Sequence, residues 1–369
     1  MKKSKTTFFG KVYLLIGIVL LIGLILGIAA GSYDPRKNVL IAFFGLAYPF
    51  FLLLNVLMVV FWLLRRRLIF ALATVLVIGC GWHSLIATVG LTGESGVGPK
   101  PAADLVRMMT YNVHSFKPYG ETSNESVKRQ MLALVQQENP DIICFQEYYS
   151  RRKGPFDITD SLKRMLKTKN FYFLPSSQNN YESTGLAIFS RYPIVNKGNI
   201  QFSNDHIGNA SIYIDVMIAG KKVRVYNVHL QSISFDKQDY NYLDKVTHKM
   251  DTELMPAKRI VRMLKTAFLK RSAQVDIMKA HMKTCETPFL IAGDFNDTPA
   301  SYAVTQLTKS LNNSFVEMGT GLGRTYNGKF PNFQIDYISA TKSIKVINHR
   351  IIEAKLSDHF PVRSDLRIN

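Results

Sequence analysis

An α+β sandwich carried on three membrane-spanning helices is the fold class this sequence predicts, and three observations predict it. The 369-residue chain has three stretches free of Asp, Glu, Lys and Arg: 12–33, 38–64 and 68–93. Beyond them, short apolar runs rich in β-branched and aromatic residues recur between Asn, Asp, Gly and Pro, as strands do. Helical patterns interrupt those runs irregularly, which favours an α+β sandwich over a regularly alternating parallel sheet.

Each uncharged stretch exceeds the ~20 residues a helix needs to cross a bilayer. An unpaired backbone group in hydrocarbon costs several kcal/mol, so such stretches are helices, at about 12–33, 38–64 and 68–91. The basic start (Lys2, Lys3, Lys5, Lys11) resembles a signal peptide, but a signal core is shorter and is not followed by two further spans. Basic residues flank the spans unevenly: four Lys before the first, Arg65, Arg66 and Arg67 before the third, and only Arg36 and Lys37 beside Asp34 between. The tail and the Arg cluster therefore point to the cytoplasm, and an odd number of crossings puts the rest of the chain outside it. The expected location is the cytoplasmic membrane, multi-pass, with an extracytoplasmic domain.

Residues 1–93 thus form the anchor, 94–104 (ESGVGPKPAAD) a linker, and 105–369 one soluble domain. The strand signals are 106–114, 142–146, 171–174, 185–190, 212–218, 223–230, 289–292 and 334–339; the helical ones are 126–138, 158–169 and 256–285, with Pro256 suited to a first turn. Net charge is +19, of which +11 lies beyond residue 100. That surplus favours polyanionic partners, either nucleic acid or phosphorylated lipid. Cys80, Cys144 and Cys285 are too few for a disulfide framework.

Polar residues punctuate the ends of the apolar strands: Asn112, Glu147, Asn227, His229, Asp294, Asn296, Asp336, Asp358 and His359. Singly, each is an ordinary turn or strand-end residue. Together they deliver oxygen ligands and imidazoles from six strands, which suits a hard cation and a phosphate in one cleft.

The motifs Thr110-Tyr111-Asn112-Val113, Phe145-Gln146-Glu147, Ser183-Thr184-Gly185, Asn227-Val228-His229-Leu230, Gly293-Asp294-Phe295-Asn296, Ile335-Asp336-Tyr337 and Ser357-Asp358-His359 occur in that order. In this the chain resembles the endonuclease/exonuclease/phosphatase superfamily, from residue 106 to about 362. The resemblance implies a four-layer α/β/β/α sandwich with Mg²⁺ or Mn²⁺ at one edge. It implies metal ligation by Glu147 and Asp358 with Asn112, and catalysis by His229, Asp294, Asn296, Asp336 and His359. Asn227 and Arg191 become substrate-binding candidates, and Glu182 a candidate partner for His229. Asp294 and His359 are rival general bases. The neighbours Ile291, Ala292 and Asp297 differ from those of inositol phosphatases and count against that branch.

His114 is read as a satisfied loop residue, and His206, His248 and His281 lack ligand spacing. The apolar stripe Ile260, Met263, Leu264, Ala267 and Phe268, flanked by basic residues, either lies on an anionic bilayer, lids the cleft or covers a sheet. The expected activity is membrane-anchored, metal-dependent hydrolysis of phosphomonoesters or phosphodiesters. The alternative is a catalytically silent membrane scaffold, which would require a lost catalytic position, and none is missing. The sequence implies a bilayer and a phosphorylated substrate as partners and names no protein partner.

Overall fold

Residues with few charges and many Leu, Ile and Val form helix α1 (Phe8–Ala30), the 23-residue start of the described chain. The computed structural model describes residues 8–369 except 92, 94, 118–123, 204–207, 234–241, 243–253 and 329–331. Lys2, Lys3, Lys5, His206 and His248 lie outside the described residues. The chain divides into two units, residues 1–88 with 298–306, and residues 89–297 with 307–369.

In the first unit α1 is followed by α2 (Leu40–Leu46), α3 (Tyr48–Leu64), α4 (Leu68–Cys80) and α5 (Trp82–Thr88). Among the described residues only α1 is by itself long and apolar enough to cross a membrane; α2–α3 bend by 66° and α4–α5 by 74°. This corrects the expectation of three continuous spans. Pro49 causes the first bend, because it lacks an N–H and its ring crowds the carbonyl four residues back. Gly81, a poor helix former, occupies the second break. The third stretch also ends at Thr88 and not at 91. Asn55 staples α3 to α1, donating to the Leu20 carbonyl at 2.9 Å, and a Cβ on Gly23 would lie 2.2 Å from the Phe51 ring. Small residues permit such close helix approach. Leu15, Val19, Leu53, Leu57, Ile69 and Leu72 are exposed, an apolar surface that water does not favour.

The second unit begins with β1 (Val89–Leu91) and β2 (Val106–Asn112), then α6 (Glu125–Glu138), β3 (Ile142–Arg151) and α7 (Ile158–Leu166). Strands β4 (Asn170–Gln178), β5 (Glu182–Ser190), β6 (Ile194–Gln201), β7 (Ala210–Ile218) and β8 (Lys221–His229) precede the long helix α8 (Leu254–Lys283). The chain continues as β9 (Phe289–Asp294), α9 (Tyr302–Thr308), β10 (Asn312–Asn313), α10 (Ser314–Met318) and β11 (Thr320–Leu322). It ends with β12 (Asp336–Ala340), β13 (Ile344–Val346), β14 (Arg350–Ile351) and β15 (Val362–Ile368).

Two large sheets form, β10-β12-β9-β8-β7-β6 and β13-β15-β2-β3-β5-β4 with β14 beside β15. Alternation sends Val106, Met108, Ile142, Cys144 and Ile188 of one sheet against Ile212, Ile214, Val225, Leu290 and Ala292 of the other. The opposite side chains, Met109, Tyr111, Ile143, Phe145 and Phe189, bury themselves under Met131, Val135, Ile158 and Leu162 of α6 and α7. Helix α8 covers the other sheet, where His281 Nδ1 lies 3.0 Å from the Tyr226 hydroxyl. The layering is the expected α/β/β/α sandwich. Ile260, Leu264, Ala267 and Phe268 are buried, so this stripe offers no apolar face to a bilayer and follows the sheet-covering alternative.

The expected linker is built into this unit. Ser95 bridges to His349, and Lys100 Nζ donates to Asp141 at 2.7 Å and to the Leu105 carbonyl at 3.0 Å.

Candidate active site

Strand register gathers the polar strand ends. In the parallel pair β8–β9, His229 stands opposite Asp294, and in the antiparallel pair β9–β12, Asp294 stands opposite Asp336. In the other sheet, Asn112 pairs with Gln146, one residue before Glu147. Glu147 occupies an irregularity between Phe145 and Tyr148 and has φ +50, uncommon outside glycine. A bulge of this kind re-aims one side chain off the pleat. The loop before β15 supplies the rest: Ser357 Oγ lies 3.0 Å from the Asn112 carbonyl, locking Asp358 and His359 beside β2.

Two groups result, and one amide joins them. In the first, His359 Nδ1 lies 2.9 Å from Asp336 Oδ2, while its Nε2 and the Nε2 of His229 lie 3.7 and 3.6 Å from Asp294 Oδ2. In the second, His114 Nδ1 sits 3.3 Å from Glu147 Oε2 and 3.8 Å from Asp358 Oδ2. Asn112 Nδ2 donates to Asp294 at 3.0 Å and lies 3.4 Å from Glu147 Oε1.

The electrostatics follow from burial and these partners. Burial pushes the Asp294 carboxyl up to about 6; Asp336 adds to the rise, while His359, His229 and the Asn112 amide oppose it. Burial disfavours a charged His359, but Asp336 and Asp294 outweigh it and hold the ring well above its usual value. Burial would raise Glu147, yet the His114 hydrogen bond and the charges of His229, His114 and His359 carry it down to about 2. Glu147 raises His114 in turn, against desolvation and with help from Asp358.

The structure brings together Asn112, Glu147, His229, Asp294, Asp336, Asp358 and His359, and adds His114, which the sequence reading set aside. Its signal was proximity alone, two residues past Asn112; β2 ends at Asn112, and a 3-10 turn with φ +42 at His114 brings the ring to Glu147. Asn296, with φ +53, holds the site indirectly: its backbone N–H donates to Asp294 Oδ1 at 2.8 Å and its amide to the Leu230 carbonyl at 3.0 Å. Buried Arg271 of α8 supports the same turn through Asp297 at 3.0 Å.

Four expectations need correction. Arg191 lies at the far end of β3 from Glu147, with Nε on the Leu166 carbonyl and its guanidinium on Asp141 and Asn139. Six residue steps along β3, about 20 Å, separate Asp141 from Glu147, so the Arg191 guanidinium is held at the opposite end of the strand from the site. Asn227 is fully buried between the sheets, donating to the carbonyls of Phe145 and Ala187 at 2.9 and 3.0 Å and accepting from Gln146 at 2.6 Å. Its amide cross-links the sandwich beneath the site. Glu182 accepts from Tyr149 and Arg151, not from His229. Asn112 does not aim its oxygen at the acidic cluster: its nitrogen faces Asp294 and Glu147, and its oxygen accepts the His114 N–H at 3.1 Å.

Asp294, Asp336 and His359 each bring a ligand atom within 4.8 Å of the others, but this group is buried and internally hydrogen-bonded. Glu147 and Asp358 form a second, more open acidic group around His114. Glu147 is 35% exposed in its side chain, both groups offer oxygen, and a positively inclined imidazole already sits between them.

Residues 109–257 match the sequence profile of the endonuclease/exonuclease/phosphatase family, and residues 10–88 that of a domain of unknown function (DUF8431). No curated protein matches the chain in sequence. Solved structures share the fold. An endonuclease/exonuclease/phosphatase from Bacteroides vulgatus superposes with TM-score 0.51 at 17% identity, covering 72% of this chain and 99% of its own. One from Beutenbergia cavernae DSM 12333 gives 0.50 at 19% identity, with 72% of each chain covered. The human Nocturnin catalytic domain with bound sulfate gives 0.50 at 15% identity, covering 73% and 96%.

Proposed function

From the endonuclease/exonuclease/phosphatase fold and this site, we propose that the chain is a membrane-anchored, Mg²⁺- or Mn²⁺-dependent hydrolase of phosphomonoester or phosphodiester bonds, with its catalytic unit outside the cytoplasm. The supporting observation is the shared Asn112 amide, which lies within reach of both Glu147 and Asp294 and so joins the Glu147–His114–Asp358 group to the buried carboxylate–imidazole network. A divalent cation on Glu147 and Asp358 would polarise the phosphate and offset its charge. Asp294, raised yet ionised at neutral pH, takes the proton of an attacking water, and the Asn296 N–H aims it. His359, kept charged by Asp336, stabilises the phosphoryl oxygens and is unsuited to act as the base. His229, on the same Asp294 oxygen, protonates the leaving group.

The test is hydrolysis by the full chain in lipid nanodiscs. Bis(p-nitrophenyl) phosphate, p-nitrophenyl phosphate and phospholipids are offered with Mg²⁺ and with EDTA. Activity should require metal, and Glu147→Ala should lower it by about a hundredfold or more with the fold intact. Retention of a tenth of the wild-type rate with unchanged metal dependence would refute the assignment of Glu147.

A further inference from the structure

Val89 follows Thr88, the last residue of α5, and opens β1, which pairs antiparallel with β11. The register sets Val89 opposite Leu322 and Leu91 opposite Thr320, so Val89, Leu91 and Leu322 share one face of the ribbon. Two of the three are largely uncovered: Leu91 is 58% and Leu322 66% exposed, while Val89 is half-buried. A two-stranded ribbon of three-residue strands has little independent stability in water, and exposed Leu on both strands gives it none.

The ribbon adjoins the catalytic rim. Three residues beyond β11, a reach of about 10 Å, the chain arrives at the site. Thr325 Oγ1 accepts the Asp336 N–H at 3.0 Å, the Tyr326 ring stands edge-on to His359 with centroids 5.5 Å apart, and the Asn327 N–H donates to the Asp358 carbonyl at 2.6 Å. Arg324, between ribbon and site, is exposed. Past Glu147, β3 continues to exposed Arg151, Arg152 and Lys153; of these, Arg151 is paired with Glu182.

We propose that this rim is a bilayer-docking surface. Leu91 and Leu322 enter the headgroup–acyl boundary, the basic residues lie among anionic headgroups, and the substrate is a phosphorylated lipid headgroup presented to the cleft. Three observations favour a bilayer over other occupants. The ribbon is covalently continuous with the apolar helices. Its exposed large side chains, Leu91 and Leu322, are aliphatic, whereas a single-stranded nucleic acid is held on aromatic platforms. Aliphatic tips beside Lys and Arg are the composition that binds anionic membrane interfaces. The proposal rests on the phosphoesterase reading above.

The experiment uses the full chain in nanodiscs containing phosphatidylserine. A set of phosphorylated lipids is offered in two forms with the same headgroup, long-chain within the disc and water-soluble short-chain. Wild type should hydrolyse the long-chain form at least about tenfold faster, because the surface concentrates it at the cleft. The double variant Leu91→Gln/Leu322→Gln, outside the catalytic machinery, should lose that preference and keep its rate on short-chain esters. Equal wild-type rates on the two forms overturn the docking surface without any variant, and a preference that survives in the double variant overturns it too. Metal-dependent hydrolysis confined to p-nitrophenyl esters or oligonucleotides overturns the lipid substrate while the phosphoesterase reading stands. If no ester is cleaved, that reading fails, and the proposal with it.

Discussion

His359 touches two carboxylates, one through each ring nitrogen, and this division of contacts defines its chemistry. Asp336 fixes the ring through Nδ1 and Asp294 faces Nε2, so the ring's charge and orientation depend on Asp336. Asp336→Asn keeps the shape and removes the charge. Proton transfer and oriented charge of this kind contribute typically about 10²–10⁴-fold, so Asp336→Asn and His359→Ala should each lower turnover by about that factor. Because they act as one unit, the double variant should be little worse than His359→Ala. A double-mutant cycle on turnover decides, and losses that multiply would mean independent roles. His349 makes a contrasting case. It is fully buried, with Nδ1 2.9 Å from Ser314 Oγ, and desolvation lowers its pKa from 6.5 to about 3. The folded state therefore binds fewer protons than the unfolded state between those values. Its contribution to stability is complete above pH 6.5 and is lost as pH falls toward 3. His349→Gln should flatten the acid limb of stability, measured as denaturant midpoint between pH 4 and 7; an unchanged limb would count against it.

At the scale of elements, β9 depends on a single glycine. Gly293 has φ +143, and a Cβ there would lie 2.0 Å from the Val228 carbonyl of the parallel strand β8. Both strands end on site residues, so any adjustment moves His229 against Asp294. Gly293→Ala should cost about 3 kcal/mol from overpacking and backbone strain. Activity should fall further than stability explains; thermal unfolding and turnover measured on one preparation test this. The strands with clear apolar runs, β2, β3, β5, β7, β8, β9 and β12, are legible in the sequence because each inner face is filled by Ile, Val, Leu, Met or Ala. Edge strand β6 is not, since Val195, Asn196 and Lys197 are exposed and carry no apolar pattern. Strand β15 is hidden for another reason. Arg363 and Asp365 are buried in it, the first on Glu138 at 2.6 Å and the second on Arg107 at 2.7 Å. Buried ion pairs erase the hydrophobic signal that a sequence reader counts.

For the whole molecule, topology is the open quantity. If α2–α3 and α4–α5 each count as one bent span, the chain crosses three times, and the basic flanks put Arg65–Arg67 inside and the catalytic unit outside. A reporter active only outside the cytoplasm should then be active when fused at residue 369 and silent when fused after Arg67. The reverse pattern, or activity at both positions, would refute this arrangement. The sequence by itself pointed to the α+β sandwich, the apolar N-terminal segment and the polar strand ends Asn112, Glu147, His229, Asp294, Asp336, Asp358 and His359 that converge in the fold. Strand periodicity and the order of polar strand ends are local properties, and they survive without coordinates. The tertiary structure separated the polar residues that converge on one site from those held in architectural contacts. Asn227 and Arg191 have the same chemistry as ligands would, but partners more than thirty residues away, or at the opposite end of a strand, take up their hydrogen bonds. It also brought in His114, and it made the expected linker part of the second unit, because Asp141 and His349 receive it only once their sheet has formed. Long-range pairing is set by packing, which no local pattern encodes.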